Sequence, residues 1–313
     1  MQNELRKSFD TETWSLISTL EPSSIGCPLC PEAEEKTEET GKIEDATSKT
    51  GKWLCRSIVD PYPVTHPMIF KLNETNENAT SFKAHGWSEV VIETRDHARE
   101  FHELSTDEMN AVLQLYAKRI KDLRGRENVE QIGIVKDNLR TEFDHSYSKI
   151  FTLPIVSPKL KEKAQKFNEF QYKKEECMYC NLIKREGVNS PQKGPRFIFE
   201  NDHFICIAPF SQMLPFECWI LPKKHYSCIS ELGDFEVFTL AETMKNVLRR
   251  MEGSIKPLRY TISYYIKPIK EKDFHFHIVI GQKTLHPSIQ ESYGISFCKL
   301  TPEDTARILR GNS

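Results

Sequence analysis

Residues 217–225 (ECWILPKKH) are the clearest indication of the fold, because the chain contains a second copy of their pattern at residues 89–97 (EVVIETRDH). In both stretches a glutamate is followed by a short run rich in β-branched, aromatic or aliphatic residues, and a polar segment then ends in a histidine. Short runs of this kind, bounded by polar or proline residues, predict strands. A strand that recurs with the same terminal histidine indicates a chain built from two similar halves.

The repeat extends outward from these strands in both directions. A C-x-x-C pair precedes each strand, in GCPLC (26–30) and in ECMYC (176–180). A further histidine follows a helix and another strand, in HSY (145–147) and in HFH (275–277). His97 and His145 are 48 residues apart, and His225 and His275 are 50 residues apart. This agreement predicts an N-terminal half at residues 1–165, which carries the HSYSK motif, and a C-terminal half at residues 166–313.

Local signals fit the same order of elements. Residues 105–108 (STDE) form a capping box that opens a helix, and its counterpart is expected from about residue 234 to 251. Residues 129–136 (VEQIGIVK) and 259–267 (RYTISYYIK) predict strands that lead into the histidine motifs. The acidic insert at residues 31–52 has few apolar residues, so we expect a solvated, mobile loop. The boundary between the halves is expected in the lysine-rich residues 158–167.

Composition limits the class of protein. The chain has 313 residues, 38% hydrophobic and 28% charged, with a net charge of −2. This balance is typical of a globular protein and gives no basic surface for nucleic acid or for an anionic membrane. No apolar run is long enough for a membrane span, and the N-terminus lacks the apolar core of a signal peptide. We therefore expect a cytoplasmic protein without nucleic-acid or membrane partners.

Cysteine and histidine supply the clearest chemistry. Each half offers two thiols one turn apart and two histidines at matching later positions, which predicts two Cys₂His₂ sites: Cys27, Cys30, His97 and His145; Cys177, Cys180, His225 and His275. Four nitrogen and sulfur ligands without a carboxylate favour closed tetrahedral zinc, so we expect two structural zinc ions per chain. The alternative is a pair of redox-active C-x-x-C motifs with unrelated histidines.

Several segments together resemble the galactose-1-phosphate uridylyltransferase family of the histidine-triad superfamily, including its ADP-glucose phosphorylase-like members. They cover most of the chain: RKSFDTETWSLIS (6–18), GCPLC (26–30), SEVVIETRDH (88–97), HSYSKIFTLP (145–154), DHFICIAPFSQMLPFECWILPKKH (202–225), DFHFHIVI (273–280) and TPEDTARILR (301–310). The resemblance implies an α+β fold of two fused histidine-triad-like halves, each an antiparallel half-barrel sheet with packed helices. It places the family's zinc ligands on the same eight residues and implies a homodimer.

The resemblance also implies an activity in hexose 1-phosphate and galactose metabolism. In the family, the second histidine of the motif attacks a nucleoside diphosphate sugar, and a second phosphate acceptor resolves the nucleotidyl-histidine. Here Tyr147 stands in place of that histidine, and Lys149 stands in place of a glutamine that contacts the phosphoryl group. Tyrosine ordinarily has a pKa near about 10, so a phenol needs a base or a cation to become a nucleophile. Tyr147 and Lys149 are therefore the predicted catalytic residues.

The approach to this motif, KDNLRTEFDHSY (136–147), also departs from the family, since it lacks glycine and carries several charges. Lys136, Asn138 and Arg140 are the predicted substrate-binding residues in it. His277 occupies the place of Tyr147 in the second half and is predicted to be a core residue. Three interpretations stay open: a nucleotidyltransferase or phosphorylase acting on a nucleoside diphosphate sugar or hexose 1-phosphate, a protein that only binds such ligands, and a zinc-stabilised interaction protein.

Overall fold

The computed structural model describes residues 3–17, 27–31, 42–47, 51–67, 72–76, 79–138, 145–188, 193–283 and 295–311. Its strands are β1 (Glu4–Lys7), β2 (Trp14–Ile17), β3 (Lys42–Thr47), β4 (Trp53–Val59), β5 (Leu72–Asn76), β6 (Ala79–Lys83), β7 (Ser88–Ile92), β8 (Gln131–Asn138), β9 (Tyr147–Leu153), β10 (Phe197–Glu200), β11 (Phe204–Ile207), β12 (Cys218–Pro222), β13 (Tyr260–Tyr265) and β14 (His277–Gln282). Its α-helices are α1 (Thr106–Leu123), α2 (Pro158–Lys174), α3 (Met178–Ile183), α4 (Asp234–Ser254) and α5 (Pro302–Arg310). The α+β class expected from the sequence is confirmed.

One antiparallel sheet contains ten of the strands, in the order β10-β11-β12-β14-β13-β8-β9-β7-β4-β3. Outward from its centre, the strands of the first half follow the order β8-β9-β7-β4-β3, and those of the second half follow β13-β14-β12-β11-β10. The duplication seen in the sequence is thus a duplication of strand order. The halves meet where β8 pairs with β13, with Asn138 opposite Tyr260, so their two sheets are continuous.

The main core lies on one face of this sheet, which we call the inner face. Helices α1 and α4 pack there against each other and against alternate residues of the central strands, including Ile134, Ile150 and Ile262. The predicted capping box is present at the start of α1, where Ser105 Oγ accepts from Glu108 N and Glu108 accepts from Ser105 N. In the described part of the chain, no helix combines the length and the apolar character that crossing a bilayer requires.

The opposite, outer face is covered differently in the two halves. In the second half, helix α2 lies over it, and Phe167 packs in a cluster with Ile205, Ile207 and Leu221. In the first half, a small sheet of order β2-β1-β6-β5 borders a cavity at this face. This difference determines which side chains a ligand can reach.

One local prediction needs correction, and a second segment has a structure that the sequence did not indicate. Part of the acidic insert expected to be a loop forms β3, an edge strand that pairs with β4, since charged residues are tolerated where one side of a strand faces solvent; its residues 32–41 and 48–50 lie outside the described residues. The lysine-rich segment expected to separate the halves is helix α2, with Pro158 in its first turn. The division at residue 165 falls inside this helix and stays a prediction.

Candidate functional site

The first predicted ligand set comes together beside strands β7 and β9. Cys27 and Cys30 lie in a turn, His97 follows β7, and His145 precedes β9, and their ligand atoms all lie within 4.8 Å of one another. The Sγ atom of Cys30 lies 3.3 Å from His97 Nδ1 and 3.7 Å from His145 Nδ1. Chain segments far apart in sequence thus deliver two thiols and two imidazoles to one point.

The second set repeats this arrangement. Cys177 caps the N-terminus of α3 and Cys180 lies in its first turn, while His225 follows β12 and His275 precedes β14. Cys180 Sγ lies 3.5 Å from the Nδ1 atoms of both histidines, and Cys177 Sγ lies 3.5 Å from His275 Nδ1. All eight predicted ligands are therefore placed in the two sets that the sequence indicated.

The geometry of both sets fits a tetrahedral metal. With zinc–sulfur bonds of about 2.3 Å and zinc–nitrogen bonds of about 2.05 Å, a tetrahedral angle separates sulfur from nitrogen by about 3.5 Å. The other ring nitrogen of three ligand histidines is held by an oxygen: His145 Nε2 by Thr94 O at 2.6 Å, His225 Nε2 by Asp273 Oδ1 at 2.9 Å, and His275 Nε2 by Pro222 O at 3.0 Å. The partners of His145 and His275 are carbonyls, which only accept, so in these two residues Nε2 carries the proton and Nδ1 keeps its lone pair toward the thiols.

Electrostatics differs from one ligand to the next. Burial lowers the pKa of His145, which keeps its imidazole neutral. A hydrogen bond from Cys177 lowers the pKa of Cys180 and favours its thiolate. The hydrogen bond to Cys180 raises the pKa of His225 to about 9, so a metal ion binding here displaces a proton from that histidine.

Tyr147 and Lys149 lie side by side on the outer face of β9, where alternate residues of this strand are half-buried. They border a cavity of about 490 Å³. It is lined by Leu5, Trp14, Leu16, Val64, Val135, Asp137, Tyr147, Lys149, Phe151, Leu153, Ile155, Ser157 and Pro158. Tyr147 also packs against the cluster that contains Leu29, next to the first metal set. The predicted catalytic pair is therefore brought to one accessible surface.

Lys149 forms an ion pair with Asp60, a residue that the sequence analysis did not single out. Its Nζ lies 2.9 Å from Asp60 Oδ2, and Asp60 also accepts from Ser88 Oγ at 2.8 Å. Asp60 is buried and lies just after β4, aligned across β7 with the outer face of β9. A cation paired in this way is poorly placed to lower the pKa of a neighbouring phenol.

Two of the three predicted substrate-binding residues lie away from this surface. Lys136 and Asn138 are buried on the inner face of β8, on the opposite side of the sheet from Tyr147 and Lys149. Lys136 Nζ lies 2.8 Å from Glu93 Oε2 and donates to the backbone oxygen of Tyr147 at 3.1 Å. Arg140 lies outside the described residues. A role in substrate binding for these three residues stays a prediction.

A buried polar network that sequence reasoning missed supports the HSYS segment from behind. Ser146 Oγ donates to Glu93 Oε2 at 2.7 Å, Tyr116 donates to Glu93 Oε1 at 3.0 Å, and Lys136 completes the group with its ion pair. The available signal was Glu93 itself, a carboxylate directly after an apolar strand. A buried charge of this kind requires a partner, so Glu93 could have indicated that a cation lies nearby.

His277 occupies the position of Tyr147 in the second half but is fully buried. Its ring is stacked on Tyr265 with centroids 4.7 Å apart, and its Nδ1 donates to His275 O at 2.9 Å. Nε2 lies 3.4 Å from Lys163 Nζ of helix α2. Burial and the charge of Lys163 lower the pKa of His277 well below its usual range, so the ring is neutral. The expected core position is observed.

Comparison with known proteins agrees with this architecture. Residues 163–285 match the family described as galactose-1-phosphate uridyl transferase, C-terminal domain. An ADP-glucose phosphorylase of Arabidopsis thaliana is 23% identical over 98% of this chain and 92% of its own length. A galactose-1-phosphate uridylyltransferase of Thermotoga maritima is 24% identical over 98% of both chains.

Solved structures give the same result for the fold. A uridylyltransferase structure superposes with a TM-score of 0.82 at 23% identity, covering 99% of this chain and 98% of its own. The Arabidopsis thaliana ADP-glucose phosphorylase with bound ADP-glucose superposes with a TM-score of 0.79 at 23% identity, covering 99% of each chain. The resemblance to the galactose-1-phosphate uridylyltransferase family, inferred from the motifs, is confirmed over nearly the whole chain.

Proposed function

We propose that this protein carries out nucleotidyl transfer or phosphorolysis on a nucleoside diphosphate sugar or a hexose 1-phosphate, with Tyr147 in place of the nucleophilic histidine. The observation that carries the proposal is that Tyr147 lies on the accessible outer face of β9, at the rim of a cavity, two residues after the metal-set histidine His145. Relatives of almost the same length are a uridylyltransferase and an ADP-glucose phosphorylase, which supports the substrate class.

The proposed covalent route divides the transfer into two steps. The phenol oxygen of Tyr147 attacks the α-phosphorus of the nucleoside diphosphate sugar and forms an oxygen–phosphorus bond. The phosphoanhydride bond of the substrate breaks, and hexose 1-phosphate leaves. The phenol proton passes to solvent, and a second phosphate or hexose 1-phosphate then displaces tyrosine from phosphorus. Lys136, which donates to the backbone oxygen of Tyr147, holds this part of β9 in position from the inner face.

A specific observation favours a second candidate, a protein that binds these ligands without covalent chemistry. Lys149 is the predicted partner of Tyr147, yet its ammonium is paired with Asp60 at 2.9 Å. A phenol with the ordinary tyrosine pKa of about 10 is protonated at neutral pH. Direct displacement by phosphate, or binding alone, would need no phenolate.

The proposed protein also contains bound metal and forms a dimer. Two structural zinc ions per chain fit the two Cys₂His₂ sets, and when bound each ion ties a cysteine pair to the ends of two strands in its half. A cytoplasmic homodimer with halves at residues 1–165 and 166–313 completes the proposal: composition supports the compartment, the internal repeat supports the halves, and the sequence resemblance supports the dimer.

Native and denaturing intact-mass spectrometry with UDP- and ADP-sugars tests the proposed function. We expect two zinc ions per chain in the native spectrum and, for the covalent route, a nucleoside monophosphate adduct that survives denaturation. Fragmentation should locate it on Tyr147, and Tyr147→Phe should abolish it. A noncovalent complex without an adduct or turnover would favour the binding protein. Absence of any complex would contradict both candidates.

A further inference from the structure

The cavity beside Tyr147 is unusual for a site expected to receive phosphate groups, because its charges cancel locally. Two charged residues line it, Lys149 and Asp137. Lys149 is paired with Asp60 at 2.9 Å, and Asp137 is paired with Lys283 at 2.5 Å. Most of the other lining side chains are apolar. Within the described residues, each charge of the lining is therefore paired with an opposite charge.

Asp60 is built rigidly into this arrangement. Its side chain is 1% exposed, and each carboxylate oxygen has a defined partner: Oδ1 accepts from Tyr62 N at 2.9 Å, and Oδ2 accepts from Ser88 Oγ and Lys149 Nζ. Lys149 is less constrained, since 30% of its side chain is exposed and its second contact, Tyr62 O, is 3.5 Å away. The carboxylate thus stays in place, and the ammonium is the group that a ligand can recruit.

We infer that Asp60 sets the ligand charge that this site accepts, because it competes with a phosphoryl group for the ammonium of Lys149. In the paired state the cavity suits an uncharged, largely apolar group of the ligand. A phosphoryl group beside Tyr147 must draw Lys149 away from Asp60 and lies close to the Asp60 carboxylate. The inference rests on the proposed function in placing a phosphate-bearing ligand at this face, and it makes Asp60 a specificity-determining residue rather than a catalytic one.

Calorimetric titration with pyrophosphate and with ADP-glucose tests this competition in the full-length, zinc-loaded protein. Asp60→Asn removes the competing charge and keeps an acceptor for Tyr62 N. We expect it to tighten pyrophosphate binding by about tenfold or more, since a unit charge contributes strongly in a partly dry site. Asp60→Ser serves the same purpose if the asparagine variant unfolds at a lower temperature than the parent.

Two further variants separate release of Lys149 from a general change in charge. Asp137→Asn also removes a paired carboxylate at the cavity, but the lysine it frees, Lys283, is absent from the cavity lining. We expect it to change pyrophosphate affinity by less than about threefold, because its pair is more exposed and more screened. The double variant Asp60→Asn/Lys149→Met should lose the gain of the single variant, since no ammonium remains to be released.

The outcomes distinguish the inference from the proposed function. Tighter pyrophosphate binding in Asp60→Asn that Lys149→Met cancels supports the competition, even if ADP-glucose is turned over by neither protein. Equal affinities of parent and Asp60→Asn overturn it, even if the parent forms an adduct with ADP-glucose. An equal gain in Asp137→Asn also overturns it, because the effect would then be one of overall charge.

Discussion

The outer faces of β9 and β14 are equivalent by the internal repeat, yet they are used in opposite ways. In β9 the position two residues after the metal-set histidine is Tyr147, which borders a cavity. In β14 the same position is His277, which is buried under aromatic rings and Lys163 of α2. Histidine, the better nucleophile at neutral pH, occupies the buried position, and tyrosine, the weaker one, occupies the accessible position.

This contrast shows how a duplicated fold can separate reactivity from access. Both halves keep their Cys₂His₂ sets, and both place the residue in question at the start of a central strand. The difference comes from what covers the outer face: α2 in one half, and a small sheet with a cavity in the other. Function therefore depends on the site rather than on the shared architecture.

The strongest test asks whether the halves depend equally on their metal sets. Cys27→Ser and Cys177→Ser should each remove about one metal equivalent per chain and lower the free energy of unfolding by several kcal/mol, because metal binding to such sites is coupled to folding. Metal analysis and thermal unfolding measure both effects. Cys55→Ser and Cys228→Ser are matched controls, since these thiols are buried in the core outside the two sets, and they should retain both ions. Unchanged metal content in both ligand variants would contradict the assignment.

The inner face behind Tyr147 gives the next largest effect. Glu93→Gln or Lys136→Met alone should lower the free energy of unfolding by about 3 to 5 kcal/mol, because each leaves a buried charge without its partner. The double variant should recover much of this loss, since both groups are then neutral. Chemical denaturation measures all three proteins. A double variant as unstable as the sum of the single variants would show that the two residues do not act as a pair.

Restoring the family residues on the accessible face sharpens the comparison of nucleophiles. Tyr147→His with Lys149→Gln should raise the rate of nucleotidyl transfer from a UDP- or ADP-sugar by about tenfold or more, because a neutral imidazole attacks without prior loss of a proton. The rate of adduct formation by mass spectrometry is the measurement. No gain in a folded double variant would mean that further parts of the site have changed. His277→Gln is the control in the second half and should leave the rate unchanged.

The last prediction concerns how Lys163 of helix α2, which lies over His277, changes stability with pH. Burial lowers the pKa of Lys163 to about 8, whereas an unfolded lysine titrates near about 10.5. Between these values the unfolded chain binds more protons, so this residue makes the protein more stable as pH rises from about 8 to about 10.5. The parent should therefore gain about 2 to 3 kcal/mol over this interval relative to Lys163→Met, as measured by urea unfolding at several pH values. Parallel pH profiles for the two proteins would mean that Lys163 is not desolvated.

Much of the fold was predictable because it follows from local patterns. The spacing of cysteines and histidines gave both metal sets, and alternation in residues 129–136 and 259–267 gave two central strands. Residues 158–167 were interpreted only as a boundary, because their lysines obscured a helix whose buried positions are Leu160, Ala164 and Phe167. Long lysine stems remain compatible with a helix whose other face is buried.

Residue type and spacing are enough to identify the repeat, the two ligand sets and the replacement of a histidine by Tyr147. Which side chains meet depends on the tertiary structure. Lys149 finds Asp60 at a sequence separation of 89 residues, and the strand register places Lys136 on the opposite face of the sheet from Tyr147. Helix α2 likewise packs against His277, which is 114 residues away from Lys163 in sequence. The physical reason is that strand pairing and helix docking are fixed by burial across the whole sheet, and a shift of one residue in register would exchange the two faces.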